Sequence, residues 1–488
     1  MNKLTLDDLA ARFDPEYIIQ EPSIVYSYDL PADFHTLIIT SAQNATPVHP
    51  GFWATLKTIA RIKDANILVA ATRYKNPTSQ WSGSQRNAEH WAKEVRDYLW
   101  NQRFDINSNL TFLGDIRIVP TASNPISGVE GSADGSSLII AHPRVQTKSV
   151  ATPSGKMAKM IWTTGTCTVQ NYTDSRVGRL ADDHHSLSAL IVEKKGNKFF
   201  IRRLHWDEVA QSVIDLDKEY DAAGVQDAPR ALGVIMGDTH VDFIDPLVYG
   251  ATFGPGGLVS QVRPRHLVYH DLLDAYSINP HHRGNPFTAL AKSQSGMDNA
   301  RGEVQRAIDF VRFNHQEDCQ DVIVSSNHDD MLTRWIKSSD WREDPTNAEF
   351  YLETALAIVR SVKMTPNGTQ HMSGFGHWLK QADLPNTCIL SGGESFSVGG
   401  HELGFHGDKG PNGARGSIAN MSRLGNKVII GHSHSPGERE GAIQVGTSSR
   451  LSLEYNAGSP SSWLNAHVVL LANSFTQLIV IIDGEYHA

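Results

Sequence analysis

Five short apolar runs in the second half of this 488-residue chain all lead into Asp, Asn or His, and this repetition constrains the fold more than any other feature. Leu232–Met236 leads into Asp238-Thr239-His240, and His266–Tyr269 into His270-Asp271 with Asp274 close behind. Val322–Ser325 leads into Asn327-His328-Asp329, Glu402–Phe405 into His406-Gly407, and Lys427–Ile430 into His432-Ser433-His434. Runs of this length and composition read as buried strands, as does Thr387–Leu390. Between the second and third lies Asn299–Phe313, whose Val304, Ala307, Ile308 and Val311 share one helical face. Ala348–Val359 reads as a further helix. Buried strands alternating with helices predict an α/β fold with parallel pairing. In such a sheet the strand C-terminal ends gather at one edge, where ligands bind. The five motifs therefore converge in space despite their separation in sequence.

Carboxylate oxygen, amide oxygen and imidazole nitrogen suit divalent manganese, iron, zinc or magnesium, and soft thiolate ligands are missing from the motifs. Alternation along an extended segment puts Asp238 and His240 on one side, and likewise His432 and His434. A lone His-x-His or Asn-His-Asp would carry little weight. The order of all five, each behind an apolar run, is the specific signal.

The remaining chain is less informative. Its length predicts more than one domain, and 40% apolar residues describe a globular protein. No run approaches the roughly 20 apolar residues of a membrane span, and no apolar signal-peptide core follows Met1. Cys167, Cys319 and Cys388 are too widely spaced for a disulfide framework or a zinc knuckle, which predicts a reducing, cytoplasmic setting. In the first half, Leu6–Phe13 capped by Thr5 reads as a helix, then Leu37–Thr40 and Ile67–Ala71 as strands around a helix over Gly51–Ile62. A helix over Asn87–Tyr98 follows, then strand-like runs at Leu110–Leu113, Ile116–Val119, Ser137–Ala141, Met160–Thr163, Ser188–Val192 and Lys198–Leu204. An acidic helix over Asp207–Ala222 and a turn at Gly224–Pro229 place a boundary near 225. An N-terminal α/β or α+β domain over 1–225 would thus precede the motif-bearing domain over 226–488. The whole chain carries a net charge of -9, yet Ala141–His205 holds eleven Lys or Arg against four acids. Trp162, Tyr172, Phe199 and Phe200 are interspersed there. Such a stretch fits either a polyanion surface or a solvated sheet face.

The five motifs resemble the calcineurin-like metallophosphoesterases, whose pattern is Asp-x-His, Gly-Asp-x-x-Asp, Gly-Asn-His-Asp/Glu, a His, and Gly-His-x-His. The resemblance covers about 231–451 and is in order at every ligand. His270 and Ser326 depart from it, standing where the family has glycine. The resemblance implies a four-layer α/β sandwich and two divalent ions, with Mn²⁺ favoured and Fe, Zn or Mg as alternatives. It implies that Asp238, His240 and His434 hold one ion, that Asn327, His406 and His432 hold the other, and that Asp271 bridges them. His401 is a rival for His406. Metals roughly 3.5–4 Å apart can share a hydroxide that attacks phosphorus. His328 would then protonate the leaving oxygen, Asp274 would orient His328, and Asp329 would support the loop.

The motif leaves the substrate open. Ala275 follows Asp274 where the family's Ser/Thr protein phosphatases have Arg, and Asp329 replaces their Glu, which disfavours that branch. Asn-His-Asp with Gly-His-x-His is similar to the DNA-repair and phage-type nucleases, and the basic, aromatic-bearing stretch fits a nucleic-acid strand. The leading expectation is a Mn²⁺-dependent nuclease acting on DNA. The alternatives are a phosphatase or phosphodiesterase acting on nucleotides or other small phosphoesters, and a catalytically silent binding module. His282 and Arg283, with His281, either reach a substrate phosphate or belong to a solvated loop. A homo-oligomer is open, and no membrane partner is expected.

Overall fold

The computed structural model describes residues 26–488 apart from 32, 80–89, 133–134, 283, 367 and 455. The chain is mixed α/β, as its alternating patterns predict. Three motif-bearing strands lie in a six-stranded sheet in the order Thr387–Ile389, Gln320–Ile323, His266–Tyr269, Gly233–Ile235, Ala466–Leu470, Thr476–Val480, and the other two, His401–Glu402 and Lys427–Ile430, belong to the sheet packed against it. Its first four strands are parallel, Ala466–Leu470 runs antiparallel to Gly233–Ile235, and Thr476–Val480 runs antiparallel to Ala466–Leu470. One face packs on helices, including Val304, Ala307, Ile308 and Val311 of Ala300–Asn314. The opposite face, with Ile235, Val268 and Val322, meets Ile429 and Ile443 of a ten-stranded sheet. Beyond that sheet, Val428 and Ile430 are covered by Ile418 and Met421 of the short helix Ile418–Met421. Helices, sheet, sheet and a reduced helical cover make the α/β sandwich. Strands whose two faces are both covered must be apolar on both, which is why these runs show no polar alternation.

The N-terminal segment forms a five-stranded sheet in which Thr36–Gln43 and Ala65–Thr72 pair in parallel around helix Pro50–Ile62. His49 caps that helix by accepting from Phe52 N at 3.1 Å. Phe52, Leu56 and Ile59 pack on one face of the sheet. The other face, with Ile39, Leu68 and Leu190, packs on Phe112, Ile139 and Trp162 of the ten-stranded sheet. That large sheet therefore underlies both halves. It is continuous because Gln146–Val150 pairs antiparallel with Gly437–Arg439, across the boundary placed near 225.

Several local expectations need correction. Asp207–Ala222 is no helix: Val213–Asp215 and Lys218–Tyr220 pair antiparallel. Asp207 turns back to accept from Val209 N and Ala210 N, Gln211 and Leu216 take left-handed conformations, and Arg202 draws Asp215 into the interior. Ile116–Val119 forms no strand; Ile116 and Ile118 pack on Leu113 and Ile140 from a turn. Of the helix expected over Asn87–Tyr98, 87–89 lie outside the described residues, and the rest is a 3₁₀ turn over Lys93–Tyr98. The Leu6–Phe13 helix also lies outside them. Thiols Cys167, Cys319 and Cys388 are free. Among the described residues no helix is long and apolar enough to cross a membrane.

Much of the basic stretch is buried or paired rather than a free charged surface. Arg202 and Arg203 are buried, and Arg202 forms paired bonds to Glu193 and Asp215. Lys148 pairs with Glu130, Arg144 with Glu440, Lys195 with Glu485 and Lys198 with Asp483. Trp162, Phe199 and Phe200 lie in the core rather than facing solvent. Part of the local excess is thus balanced by acids from elsewhere in the chain, while Lys156 and Arg176 stay exposed.

Candidate metal centre

The five motifs meet where the two sheets pack together: those of Asp238, Asp271 and Asn327 leave strands of the six-stranded sheet, and those of His406 and His432 leave strands of the ten-stranded one. Gly237, just before Asp238, runs so close to the neighbouring loop that an added Cβ would lie 2.7 Å from Ala466 O and 2.8 Å from Thr447 C. Asp238 is then held from behind: Thr447 Oγ1 and Ser448 N donate to its carbonyl at 2.9 and 2.8 Å. The motif loops are stitched to one another as well. Thr239 N donates to His270 O at 2.9 Å, His240 N to Asp271 O at 2.7 Å, and Gly431 N to His406 O at 2.7 Å. His240, Asp271, His432 and His434 all have positive φ, at 43°, 44°, 80° and 58°. Such conformations cost about 1–3 kcal/mol each in a non-glycine residue and persist only where the surroundings over-determine them. Here the stitching supplies that constraint.

The side chains form two overlapping groups. Asp238, His240, Asp271 and His434 bring ligand atoms within 4.8 Å of one another, all buried. His434 Nε2 lies 3.1 Å from Asp238 Oδ2 and 3.0 Å from His240 Nε2. Asn327, His406 and His432 form the second group around Asn327 Oδ1, which is 3.1 Å from His406 Nε2 and 2.9 Å from His432 Nδ1. Asp271 joins the two, with Oδ2 at 3.2 Å from His406 Nε2 and 3.8 Å from His240 Nε2. The rival His401 bonds Gly399 O through Nδ1, away from these contacts.

Burial raises the Asp238 carboxyl, but the bond and charge of His434 outweigh it and hold the group below its ordinary range. Asp271 is held well below its range, against burial, by His406, His328 and His240. Burial lowers His240, yet the Asp274 carboxylate at Nδ1 lifts it to about 9; burial also lowers His406, and Asp271 lifts it to about 9. Burial keeps His432 and His434 below the ordinary histidine range. The carboxylates are thus ionised inside the protein, while Asp238 Oδ1 and Asp271 Oδ1 accept no hydrogen bond. A buried carboxylate oxygen without a partner is costly, and a cation is the group that relieves it. Oxygen and imidazole donors converging on these atoms fit divalent ions.

The expectation that the Asp274 side chain orients His328 needs one correction. The Asp274 carboxylate forms an ion pair with His240, Oδ1 to Nδ1 at 2.9 Å, whereas its distance to His328 Nδ1 is 3.7 Å. His328 is instead fixed by the Asp274 main-chain carbonyl, at 2.9 Å from Nδ1. Asp329 supports the loop as expected, accepting from Leu273 N at 3.1 Å, and Ser326 Oγ accepts from Asp329 N. His270 and Ser326, which stand at glycine positions of the resemblance, do not have positive φ, so a side chain is tolerated there. The strict requirement falls on Gly431, where a Cβ would collide with Asp238 Oδ1 and lie 3.1 Å from His270 Cβ.

His282 bonds none of the clustered ligands among the described residues, and its Nε2 lies 3.8 Å from Glu454 Oε2, where a carboxylate opposes phosphate binding. Arg283 lies outside the described residues. Sequence reasoning missed Trp463, whose ring centroid is 4.1 Å from that of His434. It lies in an irregular Ser- and Asn-containing loop with no motif to mark it.

No protein-family model matches the chain. It is 29% identical over 462 residues to "Protein A1" of Escherichia phage T5, covering 92% of this chain and 82% of that protein. The match is too long to fit within either half alone. A crystal structure of Vps29 from Chaetomium thermophilum aligns with 37% of this chain and 92% of its own at 12% identity and a TM-score of 0.20, too slight a likeness to bear on the fold.

Proposed function

We propose that this chain is a two-metal phosphoesterase of the calcineurin-like kind, a nuclease that uses manganese to cut phosphodiester bonds in DNA. The reading rests on one observation above all. Two ionised carboxylates are buried with oxygens that accept no hydrogen bond, ringed by four imidazoles and an amide from separate strand ends. Asp238, His240 and His434 would hold one ion, Asn327, His406 and His432 the other, and Asp271 both. Bound there, the ions would supply Lewis acidity toward a phosphoryl group and make hydroxide available near neutral pH.

The protein's own groups do the rest. The Asp274 carboxylate, 2.9 Å from His240 Nδ1, favours a proton on that nitrogen electrostatically and leaves Nε2 to the cluster. The Asp274 carbonyl fixes Nδ1–H of His328, so His328 exchanges its proton at Nε2. His328 stands beside the cluster, its ring 4.8 Å from that of His240, where it delivers that proton to the departing oxygen. Trp463 walls the side of His434.

Purified protein loaded with Mn²⁺ should hydrolyse bis-p-nitrophenyl phosphate and cleave DNA, and Asp271→Asn should do neither. Hydrolysis of the small diester with DNA left intact would overturn the nuclease reading. Release of inorganic phosphate from nucleoside monophosphates would put a small-molecule phosphatase in its place.

A further inference from the structure

A cleft of about 1790 Å³ opens from Asn327 and His406. This exceeds the ~300–1,000 Å³ typical of small-ligand sites. One wall is built by helices Met331–Ser338, Ala348–Ser361 and Gly374–Gln381, with the hairpin strands Lys363–Thr365 and Gly368–Gln370. Loops 391–393 and 404–410 form the other. We propose that this cleft is a track for a single nucleic-acid strand, with Arg360, Lys363, Lys380 and Lys409 holding phosphates that flank the one being cut. The proposal rests on the phosphoesterase reading above.

Charge carries the argument. Arg301 and Arg334 also line the cleft, but Arg301 pairs with Glu353 at 2.6 Å and Arg334 donates to Asn327 O at 2.7 Å. The four named cations are exposed and have no side-chain partner among the described residues. The whole protein is acidic at -9, and several cations elsewhere, Arg144, Lys148, Lys195 and Lys198 among them, are paired with acids. Unneutralised cations gathered in one concave surface of an acidic protein focus a polyanion there. Arg360 and Lys380 each lie in the last turn of a helix, where the macrodipole already favours a cation. That explanation does not reach Lys363, on a strand, or Lys409, on the opposite wall. Of the cleft's acids, Glu353 is taken by Arg301, Asp330 lies 3.9 Å from Arg334, and Asp329 is buried beneath the surface, leaving Asp408 beside His406. A phosphomonoester would occupy the His406 end alone and leave Arg360, Lys363 and Lys380, on the opposite wall from the His406 loop, without a role. His371 and His377 also line the cleft, half-buried, and their rings can stack on any base.

The test uses the full chain with Mn²⁺ and compares bis-p-nitrophenyl phosphate, a dinucleotide, single strands of increasing length, and a duplex. For the wild type, KM should fall as the strand lengthens. In the triple variant Lys363→Ala, Lys380→Ala, Lys409→Ala, KM for a long strand should rise at least tenfold, with the penalty shrinking as the substrate shortens. The log–log salt dependence of strand binding should flatten by about 2, at ~0.7 per lost phosphate contact. The Lys→Arg triple should restore both. A length-independent KM, a variant indistinguishable from wild type on long strands, or preferred cleavage of duplex would overturn the track. Fluorescence anisotropy of a labelled single strand with metal-free protein separates the two ideas. Tight binding by wild type, lost in the alanine triple, supports the track even if no phosphoester is cut, and equal binding by both refutes it.

Discussion

Asp274 forms an ion pair with His240 through its carboxylate and bonds His328 through its main-chain carbonyl, so substitutions can separate two tasks that share one residue. Asp274→Asn keeps the carbonyl and weakens the His240 ligand; metal titration should show affinity falling about 10–100-fold. His328→Ala should leave metal content intact and lower kcat about 10²–10⁴-fold on an alkoxide leaving group. The loss should be much smaller on p-nitrophenolate, which needs no proton, and equal losses on both would contradict the assigned role. Gly431→Ala should drive Asp238 out of position, abolishing metal binding while circular dichroism stays that of the wild type. The ligand types and their order were legible because each follows its strand within a few residues. The left-handed backbone at His240, Asp271, His432 and His434 was not, since it is imposed by hydrogen bonds between loops far apart in sequence. Trp463 was hidden for the same reason.

At the scale of elements, continuous apolar runs and one-faced helices read correctly, and segments decided by tertiary partners did not. His266–Tyr269 and Lys427–Ile430 are strands over the expected residues, and helix Ala300–Asn314 lies one residue from the expected span. Asp207–Ala222 misled because its acids suit a helix surface, whereas Asp215 is pulled inward by Arg202. The helices flanking the cleft are tied to the core helix by Asn347, which is buried. Its Oδ1 accepts from Ala300 N at 2.8 Å and its Nδ2 donates to Asp298 O at 2.8 Å. Asn347→Ala leaves both groups wanting and should cost about 1–3 kcal/mol of stability, read by denaturant unfolding. No change would mean that the tie is not structural.

For the whole molecule, the buried Arg202 network links the five-stranded sheet to the hairpin that leads into the second half. Burial raises the Glu193 and Asp215 carboxyls, but Arg202, bonded to both, and Lys63 hold them below the ordinary range. Their contribution is present above the unfolded carboxyl values of about 4 and is lost as pH falls through the depressed native ones. Asp215→Asn should therefore destabilise by about 3–5 kcal/mol at neutral pH. The difference from wild type should narrow in acid, as measured by unfolding from pH 7 to pH 3. A difference constant with pH would point to packing instead.

The pairing of Gln146–Val150 with Gly437–Arg439 has a practical consequence for anyone dissecting this chain. Cutting near 225 strips a neighbour from Gly437–Arg439 and leaves a raw sheet edge, which invites strand-to-strand aggregation. The catalytic-looking piece expressed alone should precipitate or self-associate, and co-expression with the first 225 residues should return it to solution. The segment without recognisable motifs is thus a permanent selvedge, sewn to the cloth it keeps from fraying.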